Sequence, residues 1–71
     1  MTSTERAAHA IVGQMSIGMK ARFKDFVVRG RLSKESQAEF DNRSLITLDE
    51  YGSWKLTDTG GAAMAIIDGE R

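Results

Sequence analysis

Apolar residues recur at helical intervals through the first half of the chain and at alternate positions in a short stretch of the second half. Ala8, Ile11, Val12 and Met15 share one face of a helix. That segment opens on "TSTE", where Thr2 stands three residues before Glu5. A threonine and a glutamate at this spacing form a capping box, which satisfies the free amides of a helix start. The apolar phase then continues through Met19, Phe23 and Phe26, while Gly13 and Gly18 interrupt it. Each glycine weakens a helix by about 1 kcal/mol relative to alanine, and Ser16 offers a new N-cap. Two helices meeting near Ser16, or one long bent helix, both fit this pattern.

Residues 17–29 give the strongest helical signal. At about 100° per residue, Met19, Phe23, Phe26 and Val27 fall on one arc, the predicted core face. Lys20, Lys24 and, just past Gly30, Arg31 line one border of that arc; Arg22 and Arg29 line the other. Ala21 and Val28 lie opposite the core with Asp25 nearby. Val28 there reads either as an isolated exposed apolar residue, which needs no explanation, or as part of a dimer contact. Gly30 is suited to a left-handed helix stop. Ser33 caps the next helix, with Glu35 and Ser36 in its first turn. Leu32, Phe40 and Leu45 supply its apolar side, Ala38 is a small filler, and the helix is expected to end near Asn42 or Arg43.

The pattern then changes period. Ile46 and Leu48 flank Thr47, and Trp54 and Leu56 flank Lys55. This alternation of β-branched, aromatic and polar residues predicts two strands. They are joined by "DEYGS", in which Gly52 is free to take a positive φ. Ile46, Leu48, Trp54 and Leu56 are expected to share the inward face. Thr57 caps a final helix, "DTGGAAMAIID", with Met64, Ile67 and Ala63 turned inward and Gly69 at its end.

The predicted fold is therefore α+β: about three helices, a two-stranded β-hairpin and a C-terminal helix. At 71 residues a single domain is expected. It divides into an N-terminal helix or arm (1–15), a helical pair (16–43), the hairpin (44–57) and the last helix (58–69). Within it, "NRSLITLDEYGSWKLTDTGGAAM" (42–64) resembles the C-terminal half of a winged-helix domain of the MarR-like type. The resemblance rests on the apolar pair Leu45–Ile46 after a helix, a short wing at 49–53, Trp54, the pair Leu56–Thr57, and Gly60 opening a helix. It implies a winged helix-turn-helix and, with it, DNA binding and a regulatory or accessory role in a phage or other mobile element. A full motif needs two helices between the first core helix and the wing, and only one fits between Gly30 and Leu45. Either the helix at 17–29 serves as the first half of the motif, or the motif is truncated. In the first case residues 33–43 are the recognition helix, and "GRLS" is the short turn before it.

Charge complicates the DNA reading. The chain has no net charge, yet residues 1–34 carry seven basic and two acidic side chains and residues 35–71 three basic and eight acidic ones. The halves are thus +5 and −5. A basic half is a candidate nucleic-acid face; opposite halves also simply attract each other within one fold. The phosphate-contact candidates are Lys20, Lys24, Arg29, Arg31 and Lys34, with Gln37 and Asn42 as candidate base readers. Glu35, Glu39 and Asp41 give the recognition helix a net −1, and Asp49 and Glu50 make the wing tip acidic where phosphate contact calls for Arg or Lys. The alternative is a protein-interaction module that docks through Asp49, Glu50 and Tyr51 at the wing tip, since an exposed aromatic flanked by acids suits a protein contact. Homodimerisation fits both readings.

No catalytic pattern emerges. The chain has no cysteine and one histidine, His9, among alanines, so no metal site or cofactor is expected. "GQMSIG" and "TDTGGA" lack the Gly-Lys-Ser/Thr ending of a phosphate loop. No apolar run approaches a membrane span, and the opening residues lack the apolar block of a signal peptide. A cytoplasmic, non-enzymatic protein is expected.

Overall fold

A computed structural model describes residues 2–69. It is α+β, with the elements in the predicted order: α1 (Ser3–Gln14), α2 (Ile17–Arg29), α3 (Lys34–Asn42), β1 (Ile46–Leu48), β2 (Trp54–Leu56) and α4 (Asp58–Gly69). The strands pair antiparallel, with Ile46 opposite Leu56, Thr47 opposite Lys55 and Leu48 opposite Trp54.

Each helix starts where a hydroxyl is available to cap it. Thr2, Ser16 and Ser33 lie in extended backbone, and their side chains accept from the amides of Glu5, Met19 and Ser36. Thr57 accepts from the amide of Gly60 in the same way, at 3.0 Å. These bonds satisfy donors that a helix start leaves open. Ser16 decides between the two patterns the sequence allowed: the chain breaks at Met15–Ser16 into two helices. The stops are equally local. Gly30 ends α2 in the left-handed region at φ 71°, its amide donating to the carbonyl of Phe26.

α3 ends at Asn42, within the expected limit, but the turn that stops it was not foreseen. Ser44 is left-handed at φ 59°, the non-glycine residue with positive φ among the described residues. The Leu45 amide donates to the Phe40 carbonyl at 2.9 Å and the Ser44 amide to the Asp41 carbonyl at 3.0 Å. These two bonds make a Schellman stop, whose accompanying apolar contact joins the residues at either end of it. Here those are Phe40 and Leu45, both fully buried.

The core is one cluster to which every helix and β1 contribute: Ala8, Val12, Met15, Phe23, Phe40, Leu45, Ile46, Ala63 and Met64. α1 is thus a core helix and not an arm, and its contact with α4 is the most extensive in the molecule. Phe23 and Phe40 meet edge to face with ring centroids 5.1 Å apart and join α2 to α3. Such a geometry is worth about 0.5–1.5 kcal/mol beyond the area buried.

Three expected core positions fall elsewhere. Val27 is 38% exposed, at the edge of the apolar arc of α2 where the Lys20–Lys24 border begins. Leu48 is 52% exposed, because the Leu48–Trp54 pair lies one step nearer the hairpin tip than Ile46–Leu56, which meets the helices. On α3 it is Ser36, not Ala38, that is buried. Its hydroxyl accepts from that of Ser33 at 3.0 Å, so a polar side chain is buried without an unmet hydrogen bond.

The tightest contact is made by Gly60. A Cβ there would stand 2.0 Å from the carbonyl oxygen of Leu45. Gly61, its neighbour in α4, faces open space. Gly60→Ala should therefore lower stability by about 3 kcal/mol or more, most of what a core this small supplies. Gly61→Ala should raise it by up to about 1 kcal/mol. Thermal denaturation of the two variants side by side checks this, and equal effects would show that the close approach is absent. Ser44→Gly should relieve the left-handed strain and raise the melting temperature by a few degrees, about what 1 kcal/mol gives in a domain of this size.

Candidate nucleic-acid interface

The seven DNA-contact candidates do not form one patch. α2 carries cations on both borders of its buried face, and each border meets a different neighbour. On one, Arg22 pairs with Glu39 of α3 at 3.1 Å; on the other, Lys24 pairs with Asp68 of α4 at 3.8 Å. Lys20 and Lys24 therefore lie on the α4 side, while Arg29 lies on the border that faces α3. Arg31 and Lys34 follow in the turn and first residue of α3. The structure splits the predicted set into an α4-side pair and an α2–α3 corner.

The charge asymmetry has a structural consequence as well. Both ion pairs join the basic half of the chain to the acidic half. Arg29 instead bonds within α2, to Asp25 at 3.5 Å. All three pairs are well exposed, so each is worth no more than about 1 kcal/mol and its cation can be re-partnered.

At the α2–α3 corner the surface holds an open hollow of about 180 Å³ lined by Arg22, Asp25, Arg31, Leu32, Ser33 and Ser36. Gly30 and Ser33 build it by stopping α2 and starting α3 within four residues. Arg22 belongs to this corner although it was not among the candidates; the signal for it was its place on the same wheel border as Arg29. The face of α3 opposite Ser36 and Phe40 centres on Ala38, with Lys34, Glu35, Asp41 and Asn42 around it, all exposed. Asn42 and Lys34 thus sit where a groove-reading helix would use them. Gln37 is half-buried on the flank, and two carboxylates share the outer face. Arg43 turns back to donate to the Glu39 carbonyl at 3.1 Å.

The hairpin tip is organised by Asp49. One carboxylate oxygen accepts from the amides of Tyr51 at 2.8 Å and Ser53 at 2.9 Å, the Asp49 amide donates to the Ser53 carbonyl, and Gly52 takes φ 79°. Asp49 is therefore committed to its own loop, and Glu50 and Tyr51 are left as the outward groups. Tyr51 is 85% exposed. His9 is exposed on α1. Among the described residues no group of His, Cys, Asp and Glu is placed to hold a metal ion, and no helix is long and apolar enough to cross a membrane.

Comparison with protein-family models, with curated proteins and with solved structures gives no match.

The amides of Ser53 and Tyr51, and behind them Lys55, hold the Asp49 carboxyl below its ordinary value of 3.8. Because the folded value lies below the unfolded one, the contribution to stability is present above the unfolded pKa. It is lost as pH falls through the folded value. An NMR titration should show the Asp49 midpoint below that of an unperturbed aspartate, with the Tyr51 and Ser53 amide shifts moving in step. Independent titration of those amides would rule the turn out.

Proposed function

We propose that this chain is a small winged-helix-like DNA-binding protein, a regulator or accessory factor of the cytoplasm, that meets the duplex with the α2–α3 corner. One observation carries the reading: α2 and α3, joined by a four-residue turn and followed by a hairpin, leave the outer face of α3 uncovered. Lys34 and Asn42 lie on that face and Arg31 precedes it. Arg22, Arg29, Arg31 and Lys34 supply the phosphate contacts, and Asn42 is the base reader, an amide suited to adenine. Glu35 and Asp41 on the same face repel phosphate, so non-specific affinity is low and strongly salt-dependent. The hairpin in this reading is scaffold, because its tip is acidic.

A second reading is favoured by one observation. The tip fixes the Tyr51 backbone through Asp49 and leaves its ring in solvent, and an exposed aromatic is what a protein contact uses. In that case Tyr51 and Glu50 dock on another protein and DNA plays no part.

Titration of dilute labelled protein with duplex DNA at low and physiological salt separates the two. The DNA reading expects shifts at Arg22, Arg29–Lys34 and Asn42, and none at Glu50–Tyr51. Replacing Arg31 and Lys34 together by alanine should reduce the slope of log affinity against log salt by about 2. Replacing Lys20 and Lys24 should change it little. No shift even at low salt would end the DNA reading.

A further inference from the structure

The cations of the α2–α3 corner differ in what holds them. Arg31 and Lys34 have no carboxylate partner among the described residues. Arg22 has one: its guanidinium donates to Glu39 Oε2 at 3.1 Å, from α2 to α3. Glu39 is placed for this by its helix. It lies next to buried Phe40 and three residues after buried Ser36, so it stands on the flank of α3 that meets α2. Glu35 and Asp41 point elsewhere, to the exposed outer face. The pair itself is open to solvent, with the Arg22 side chain 49% and the Glu39 side chain 36% exposed. Arg22 also lines the hollow of about 180 Å³ that Arg31 and Ser33 share.

We propose that Glu39 is an intramolecular stand-in for a DNA phosphate: it occupies Arg22 in the free protein and so limits how tightly the corner holds a duplex. This role rests on the DNA reading of the same corner and adds to it a residue that lowers affinity. Carboxylate and phosphate present the same acceptors to a guanidinium, a pair of oxygens that receive its N–H groups. An N–H given to one is not available to the other. Glu39 is tethered beside Arg22 on a rigid helix, so it competes at a high effective concentration. A phosphate that takes Arg22 must first displace it. Arg31 and Lys34 remain the ready contacts, which keeps non-specific affinity down. Glu35 and Asp41 act on the duplex through charge alone, whereas Glu39 acts through one named cation.

That difference is what a double-mutant cycle reads. Affinity for a labelled non-specific duplex is measured by fluorescence anisotropy on the wild type, Glu39→Gln, Arg22→Gln and the double variant. Asp68→Asn is the control, since it makes the same change of charge beside Lys24 on the other border of α2. The salt is held near 0.1 M, where charges beyond about 10 Å are largely screened. Glu39→Gln should tighten binding about three- to fivefold, the range an exposed ion pair can release. Asp68→Asn should change it by less than about 1.5-fold. With Arg22→Gln already present, the gain from Glu39→Gln should fall to that of the control. Thermal denaturation supplies a readout of opposite sign: Glu39→Gln should leave the melting temperature unchanged or slightly lower while affinity rises. An equal gain with and without Arg22 overturns the proposal, because Glu39 would then act by repulsion alone. Weaker binding by Glu39→Gln also overturns it, and would make the pair a brace that positions α3. Both of those outcomes leave the DNA reading in place. Failure of the wild type and of every variant to bind, even at low salt, ends the DNA reading and this role together.

Discussion

The carbonyl group of Leu45 is the point on which three elements close. Its oxygen accepts from the amide of Thr57 at 3.0 Å, and the backbone of Gly60 passes so near that no side chain fits between them. The residue before it, Ser44, is left-handed so that α3 can end and β1 begin, and its own carbonyl accepts from the Thr57 hydroxyl. Thr57 in turn caps α4. One junction therefore fixes the end of α3, the start of β1 and the entry of α4. A backbone carbonyl is an obligatory acceptor, and meeting that need with an amide from the far end of the hairpin turns a local requirement into a tertiary one. With α4 so placed, Ala63 and Met64 reach α1, and the small residue Ala8 allows the close contact that completes the core.

The same packing disperses the charge. Read along the chain, the cations of the first half form a cluster; folded, α2 divides them between two neighbours. Glu39 and Asp68 draw Arg22 and Lys24 to opposite borders. The cations that stay together are at the α2–α3 corner, where Arg31 and Lys34 stand at the start of α3, and the proposed DNA contact rests on them. The structure thus narrows the DNA reading to fewer residues than the sequence offered, and adds Arg22 to them. It also assigns the acidic hairpin a role of its own. Asp49 is spent on shaping the tip, and the exposed Tyr51 beside Glu50 is what that shape presents.

Much was legible from the sequence because it is decided within a few residues. The capping hydroxyls Thr2, Ser16, Ser33 and Thr57, the stop at Gly30, the turn at Gly52 and the period-two strands all act through bonds spanning three or four positions. The helix limits at 17–29 and the two three-residue strands follow from them. The candidate site was legible as a set of residue types and illegible as a surface. Arc position on a wheel says which residues leave the core, but not which neighbour waits on either border.

The sequence alone determined the elements, their order and the residues available for function, since caps, turns and periodicity are local properties of the backbone. Tertiary structure alone decided the rest. It placed Ser36 rather than Ala38 inside, because a neighbouring hydroxyl satisfies it there. It left Leu48 exposed, because the hairpin extends past the core that would have covered it, and Val27 exposed at the edge of the α2 face that the core covers. It held Ser44 left-handed, a conformation its own side chain does not favour, because Phe40 and Leu45 are buried together only with that turn. It parted the cations of α2, because α3 and α4 pack on opposite sides of it. Each of these depends on what lies across the fold, and no spacing along a single chain encodes that.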